Sequence, residues 1–137
     1  MRYKKCALLC VAILFLGFTY AGGADRKEFT ASIGKDGLQQ VDILSGSYFF
    51  NPNHIIVKVN VPVEIRIRKE GLIPHAFAIK APQAGMDVNV SLGSDPKIIR
   101  FTPTKTGSYP FYCDVKPFFF MSSHQEKGME GIIEVRE

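Results

Sequence analysis

The chain has 137 residues, of which 46% are hydrophobic and 12% aromatic, the make-up of one globular domain. Its formal charge of +4 falls to +1 once Arg2, Lys4 and Lys5 are set aside with the leader they belong to. Composition therefore supports neither nucleic-acid binding nor attachment to an anionic membrane.

Those three cations precede an uncharged run over residues 6–20, which closes on Ala21, Gly22, Gly23 and Ala24. That order is the pattern of an export signal, and the run is shorter than the roughly 20 residues of a membrane span. Residues 1–24 are read as a signal peptide, with an uncleaved anchor as the alternative, and residues 25–137 as the domain. Cys6 and Cys10 leave with the leader, and neither follows the small-residue box as a lipoprotein cysteine would. Cys113 then stands alone in a periplasmic or otherwise exported protein, where an unpaired thiol calls for burial or a metal.

From Phe29 onward the apolar residues alternate with period two. Strands are predicted over residues 29–33, 40–50 with a bend at Gly46, 54–59 and 63–68. In the last of these Val63, Ile65 and Ile67 face inward and Glu64, Arg66 and Arg68 outward. Further strands are predicted over 75–80, 97–101, 108–113 and 131–135, with residues 81–89 a loop and Pro110 marking an edge or bulge. Seven or eight short strands with turn signals between them and no amphipathic helical window predict an all-β, antiparallel Greek-key sandwich.

The chemistry is concentrated near the C-terminus, where Cys113, His124 and Met129 follow one another, and His75 lies upstream in Ile73-Pro74-His75-Ala76-Phe77. One thiol, two imidazoles and a thioether are the donor set of a mononuclear copper electron-transfer site. Each residue also has a plainer role: Cys113 as a small buried hydrophobe, His75 bonded to backbone, His124 solvated, Met129 as core filler with Met121 as a second candidate thioether. His54 reads as structural or surface and Met86 as loop or core. Zinc is the rival ion, but it gains little from a thioether. There is no Cys-x-x-Cys-His haem motif, no second cysteine near Cys113 for a binuclear centre, and no nucleophile elbow or phosphate loop. Glu126, Glu130 and Glu134 read as solvated charges, so no enzyme is expected.

The segments YFFNPNHIIVKVNVPVEIRI, PHAF, GSYPFYC and HQEKGMEGIIEV together resemble the cupredoxins, the blue-copper family that includes plastocyanin and azurin. The resemblance runs from about Ser47 to the end and implies one copper ion per chain, held by His75, Cys113 and His124 with Met129 axial. Four residues separate His124 from Met129, as in plastocyanin-like members. The family usually places two to four residues between the cysteine and the second histidine, whereas here ten intervene, residues 114–123. A loop of that length is expected to leave the site more open, to rotate the imidazole, or to admit water, Asp114 or Met121. Its segment Lys116-Pro117-Phe118-Phe119-Phe120-Met121 is expected either to pack over the ion or to form an exposed apolar patch for a partner.

The function expected on these grounds is an exported copper protein that moves single electrons between redox partners, leaving through the edge of His124. A membrane-bound respiratory complex is the partner the family suggests, and a monomer is expected. The alternatives are a copper-delivery protein of the cell envelope and a non-blue copper site with an open position.

Overall fold

A computed structural model of the protein describes residues 26–118 and 121–137. The expected signal peptide over residues 1–24 lies outside the described residues. The strands are β1 (Glu28–Thr30), β2 (Gln39–Gly46), β3 (Phe49–Asn51), β4 (His54–Lys58), β5 (Val63–Lys69), β6 (His75–Ala81), β7 (Met86–Leu92), β8 (Lys97–Phe101), β9 (Gly107–Tyr112) and β10 (Glu130–Arg136). They form a six-stranded sheet in the order β1-β4-β10-β9-β6-β7 and a four-stranded sheet in the order β3-β2-β5-β8. No helix among the described residues is long and apolar enough to cross a membrane.

The expected all-β sandwich is therefore observed, but its sheets are mixed. β4 runs parallel to both β1 and β10, and β2 runs parallel to β5, while the remaining pairs are antiparallel. Alternation along a strand reports which face is buried and carries no information about the direction of the neighbour. The parallel pairs arise because the chain crosses between layers, from β1 to β2, from β3 to β4 and from β4 to β5.

β5 shows the alternation most clearly. Val63, Ile65 and Ile67 are buried, and Arg66 and Arg68 are exposed. Glu64 also points outward but is covered, because the Arg100 guanidinium opposite it on β8 lies 2.7 Å from its carboxylate. The loop expected over residues 81–89 takes in the first four residues of β7, although Met86, Val88, Val90 and Leu92 alternate with polar residues. Pro82 and Gly85 bound a short 3-10 turn over Pro82–Ala84, and those breakers obscure the strand that follows. Met86 is fully buried in the core.

The core lies between the sheets, with Ile43, Ile65 and Ile67 of one facing Ile55, Phe77, Ile79, Phe111 and Ile133 of the other. At its centre the rings of Phe77 and Phe111 stack at 5.1 Å, and Phe50 meets both edge-on at 5.7 and 5.3 Å. Such contacts add about 1 kcal/mol per pair beyond burial of the ring area. Side chains two apart on a strand share a face. His75 therefore shares a face with Phe77, two residues before it at the start of β6, and Cys113 shares a face with Phe111, two residues after it just beyond the end of β9. Because β6 and β9 are antiparallel, these two positions meet at one end of the sandwich, on top of the phenylalanine stack. β10 is antiparallel to β9 and starts at the same end, with Met129 just before it.

Gly131 on β10 lies opposite Phe111, and a Cβ there would run into the Phe111 ring and lie 2.5 Å from the Asn53 carbonyl oxygen. Neither neighbour can retreat, since one is in the central stack and the other accepts the Ile132 N–H at 2.9 Å. Gly131→Ala is expected to destabilise the fold by about 2–3 kcal/mol and lower the melting temperature by roughly 10 °C. Thermal unfolding followed by circular dichroism measures it, and an unchanged midpoint would show that the stack is not packed as described.

Candidate metal centre

Three donor atoms meet at the end of the sandwich. His75 Nδ1 and His124 Nδ1 are 3.1 Å apart, and Cys113 Sγ lies 3.5 Å from the His124 nitrogen and 4.0 Å from that of His75. They form the single group of convergent metal-ligating His, Cys, Asp or Glu side chains found among the described residues. All three residues are buried, with exposures of 2% for His75 and 0% for Cys113 and His124.

The size of this triangle tests whether an ion fits. The circle through the three atoms has a radius of about 2.1 Å, within the range of about 2.0–2.3 Å for transition-metal bonds to imidazole nitrogen and thiolate sulfur. A single ion at its centre would reach all three donors without side-chain rearrangement. Imidazole and thiolate suit copper and zinc alike, so the triangle establishes a fit to either.

Met129 is fully buried in the same core cluster. Its carbonyl accepts the Cys113 N–H at 3.1 Å and its N–H donates to the His124 carbonyl at 3.0 Å. Backbone bonds therefore tie it to two of the three donor residues. The two other suggested ligands lie elsewhere: Asp114 accepts a hydrogen bond from Asn89 at 2.9 Å, and Met121 is on the surface.

The ten-residue loop does not open the site. The Cys113–Met129 bond extends the β9–β10 ladder by one step; beyond it the Gln125 N–H donates to the Cys113 carbonyl at 3.1 Å and the His124 N–H to the Val115 carbonyl at 3.0 Å. The loop is pinched at its base. A capping box then fixes His124. Ser123 N–H donates to the Glu126 carboxylate at 2.5 Å and Glu126 N–H to the Ser123 hydroxyl at 3.2 Å, opening a single turn that ends at Gly128. Glu126 is thus a capping group, not a free solvated charge, and these bonds hold its carboxyl below the usual range. Glu134 likewise pairs with Arg136 at 2.7 Å and with His54 at 2.9 Å. That contact makes His54 a structural tie between β4 and β10.

The edge of His124, expected as the exit for electrons, is not at the surface. The Tyr48 ring packs against it at 5.0 Å in a T-shaped arrangement, and the Lys127 ammonium lies 4.5 Å above the Tyr48 ring and 3.2 Å from its hydroxyl. Of the phenylalanine segment, Phe118 is 60% exposed; Phe119 and Phe120 lie outside the described residues. Tyr48 was not marked by the sequence reading. Its one local signal is an aromatic residue in the two-residue turn between β2 and β3, where its φ of 64° favours glycine or asparagine.

The electrostatics of the pocket favour neutral groups. Burial, then the neighbouring His124 and Lys69, lower the His75 pKa to about 4. Burial and then Lys127 lower that of His124, and burial pushes the Cys113 thiol up. Opposing that rise, the Ala76 N–H donates to Cys113 Sγ at 3.2 Å, which favours the thiolate.

For His75 the folded pKa lies below the unfolded value of 6.5, so the unfolded chain binds more protons between those limits. Stability of the metal-free protein is therefore complete above about pH 6.5 and is expected to fall by roughly 3 kcal/mol as pH drops to about 4, with His124 acting in the same direction. Urea unfolding across this range measures the slope, and His75→Gln should flatten it. A wild-type profile already flat there would mean that the imidazoles are not buried as neutral groups.

The Cupredoxin-like domain family model matches residues 7–125, a stretch that ends before Met129. No curated protein sequence matches the chain. Among solved structures, the metal-binding domain of the Streptococcus pneumoniae D39 Cu(I)-exporting P-type ATPase CopA, with Cu(I), superposes with a TM-score of 0.63 at 22% identity. It covers 83% of this chain and 100% of that domain. Reduced auracyanin from Roseiflexus castenholzii gives 0.53 at 19% identity over 78% and 99% of the two chains. The periplasmic domain of cytochrome oxidase subunit II (CoxB) of Bradyrhizobium japonicum gives 0.54 at 16% over 72% and 83%. At these identities the structural likenesses speak for the fold alone. The family match spans most of the sequence and includes three of the four expected ligand positions, and on that ground the chain belongs to the cupredoxin-like domain family.

Proposed function

We propose that the protein is an exported, monomeric copper carrier that passes single electrons between redox partners, with His75, Cys113 and His124 as ligands and Met129 as a weak axial fourth. The observation that carries this reading is the buried triangle whose radius of about 2.1 Å already suits one ion. Copper, when bound, supplies the one-electron couple. The chain's own residues keep the donors in one arrangement for both oxidation states, which limits reorganisation on electron transfer. The pinched loop fixes His124, the Phe77–Phe111 stack lies beneath, and the Ala76 N–H holds the sulfur. The burial of every donor supports reading the protein as a carrier and not as an enzyme. A periplasmic location and a membrane-bound respiratory partner accord with this reading. One solved structure of similar fold is the periplasmic domain of a cytochrome oxidase subunit.

Copper delivery is the second reading. What favours it is the likeness in fold to the metal-binding domain of a Cu(I)-exporting ATPase.

Titration of the purified protein with Cu(II), followed by visible absorption and electron paramagnetic resonance, tests the reading. One equivalent is expected to saturate an intense sulfur-to-copper charge-transfer band. Cys113→Ala should weaken that band by about tenfold or more, whereas Met129→Leu should retain it with a shifted reduction potential. Equal weak spectra from wild type and Cys113→Ala would remove Cys113 as a ligand and the carrier with it. Rapid surrender of Cu(I) to a chelator without a reversible couple would favour delivery.

A further inference from the structure

An ion cannot reach the triangle as it stands. His75 and His124 are buried together with their Nε2 atoms, neither of which has a hydrogen-bond partner. Some wall must move, and the walls at Cys113, Met129 and His75 are tied into sheet. Cys113 and Met129 are joined across the β9–β10 ladder, and His75 heads β6, which pairs with β7 from its first residue. Parting these strands would break several backbone hydrogen bonds at once.

One wall against His124 is built differently. It is the Tyr48 ring, carried on the two-residue turn between β2 and β3, which belong to the opposite sheet from β9 and β10. Lys127, three residues beyond His124, holds that ring by a cation–π contact and a hydrogen bond to the phenol. Tyr48 also occupies the left-handed region, at φ 64°, where a bulky side chain is strained. Turning the ring away about its χ1 bond would open this side of the His124 ring, whose Nε2 is buried with no hydrogen-bond partner, to water.

We infer that Tyr48, clamped by Lys127, is the movable cover through which a soft metal ion such as Cu(I) enters and leaves the centre by way of His124. This rests on the copper reading above for the identity of the ion, but the cover itself is a property of the metal-free protein. Tyr48 acts on His124 and contacts no substrate, so it is a positioning residue. The clamp ties exchange to the ligand turn, because the cation that closes the cover sits in the turn that carries His124.

The first test is made on the metal-free protein. Acylation of each histidine by diethyl pyrocarbonate is followed by mass spectrometry, with His75 and His54 as internal references. Tyr48→Gly removes the ring and suits the backbone, and is expected to accelerate modification of His124 about tenfold while leaving His75 unchanged. Lys127→Gln keeps the ring and the turn but releases the clamp, and is expected to accelerate it roughly threefold. The second test follows transfer of Cu(I) from the loaded protein to excess bicinchoninate. Both variants should release the ion faster by similar factors, with a smaller change in equilibrium affinity, since uptake is accelerated too.

Unchanged His124 reactivity in both variants would overturn the inference. So would parallel acceleration at His75, which would mean a site loosened as a whole. Failure of the protein to bind Cu(I) would instead remove the copper reading, while the acylation result would still decide the cover.

Discussion

The metal end of this molecule depends on one backbone hydrogen bond, from the Cys113 N–H to the Met129 carbonyl at 3.1 Å. It carries the β9–β10 ladder one step past Tyr112 and Glu130. The chain between these two residues must therefore begin and end about one strand spacing apart, near 4.8 Å, whatever its length. Loop closure entropy grows only slowly with length, so several extra residues add little cost once the base is closed. The second pinch, between His124 and Val115, then returns the imidazole to the thiol. A ten-residue connection reaches this donor arrangement because the register, not the loop, sets the distance.

Much of the layer arrangement could be read from single residues. The inward run Val63, Ile65 and Ile67 placed β5, and His75, Cys113 and His124 were recognisable by donor type and order, and the structure brings those three together. What could not be read were properties that depend on partners distant in sequence. The parallel pairing of β2 with β5 leaves no trace in alternation, because facing and direction are independent. The expectation of an open site failed because loop length is visible in a sequence and the hydrogen bond closing its base is not. Glu126 was taken for a free charge although Ser123 and Glu126 stand in the S-x-x-E spacing of a capping box, a local signal that the metal motif overshadowed. Tyr48 had the least signal, since its importance comes from the ring it covers, 76 positions away.

Burial sets the character of the donors before any ion arrives. A dry pocket favours neutral imidazoles and a protonated thiol, as the directions of all three pKa values indicate. A metal cation reverses that preference at sulfur, where binding requires the thiolate and sends a proton to solvent. The imidazoles need lose no proton near neutral pH, since they are already neutral. The Ala76 N–H then has two roles, easing formation of the thiolate and moderating the electron density it presents to a metal.

The covered imidazole changes what a partner would meet. With His124 at the surface, the path from metal to partner would end on a ligand. Here the Tyr48 phenol and the Lys127 ammonium lie against that imidazole, and an electron leaving on this side would have one more ring to cross. A positive charge at that point favours an anionic docking face and disfavours a cationic one, which selects among partners more than it strengthens any one of them. If the cover acts as proposed, it would give retention and release a common control: closed, it would keep an ion among the buried donors, and a contact that draws away Lys127 or Tyr48 would favour release. Carriage and delivery would then differ in how firmly one side-chain pair is closed, with the same ligands serving both.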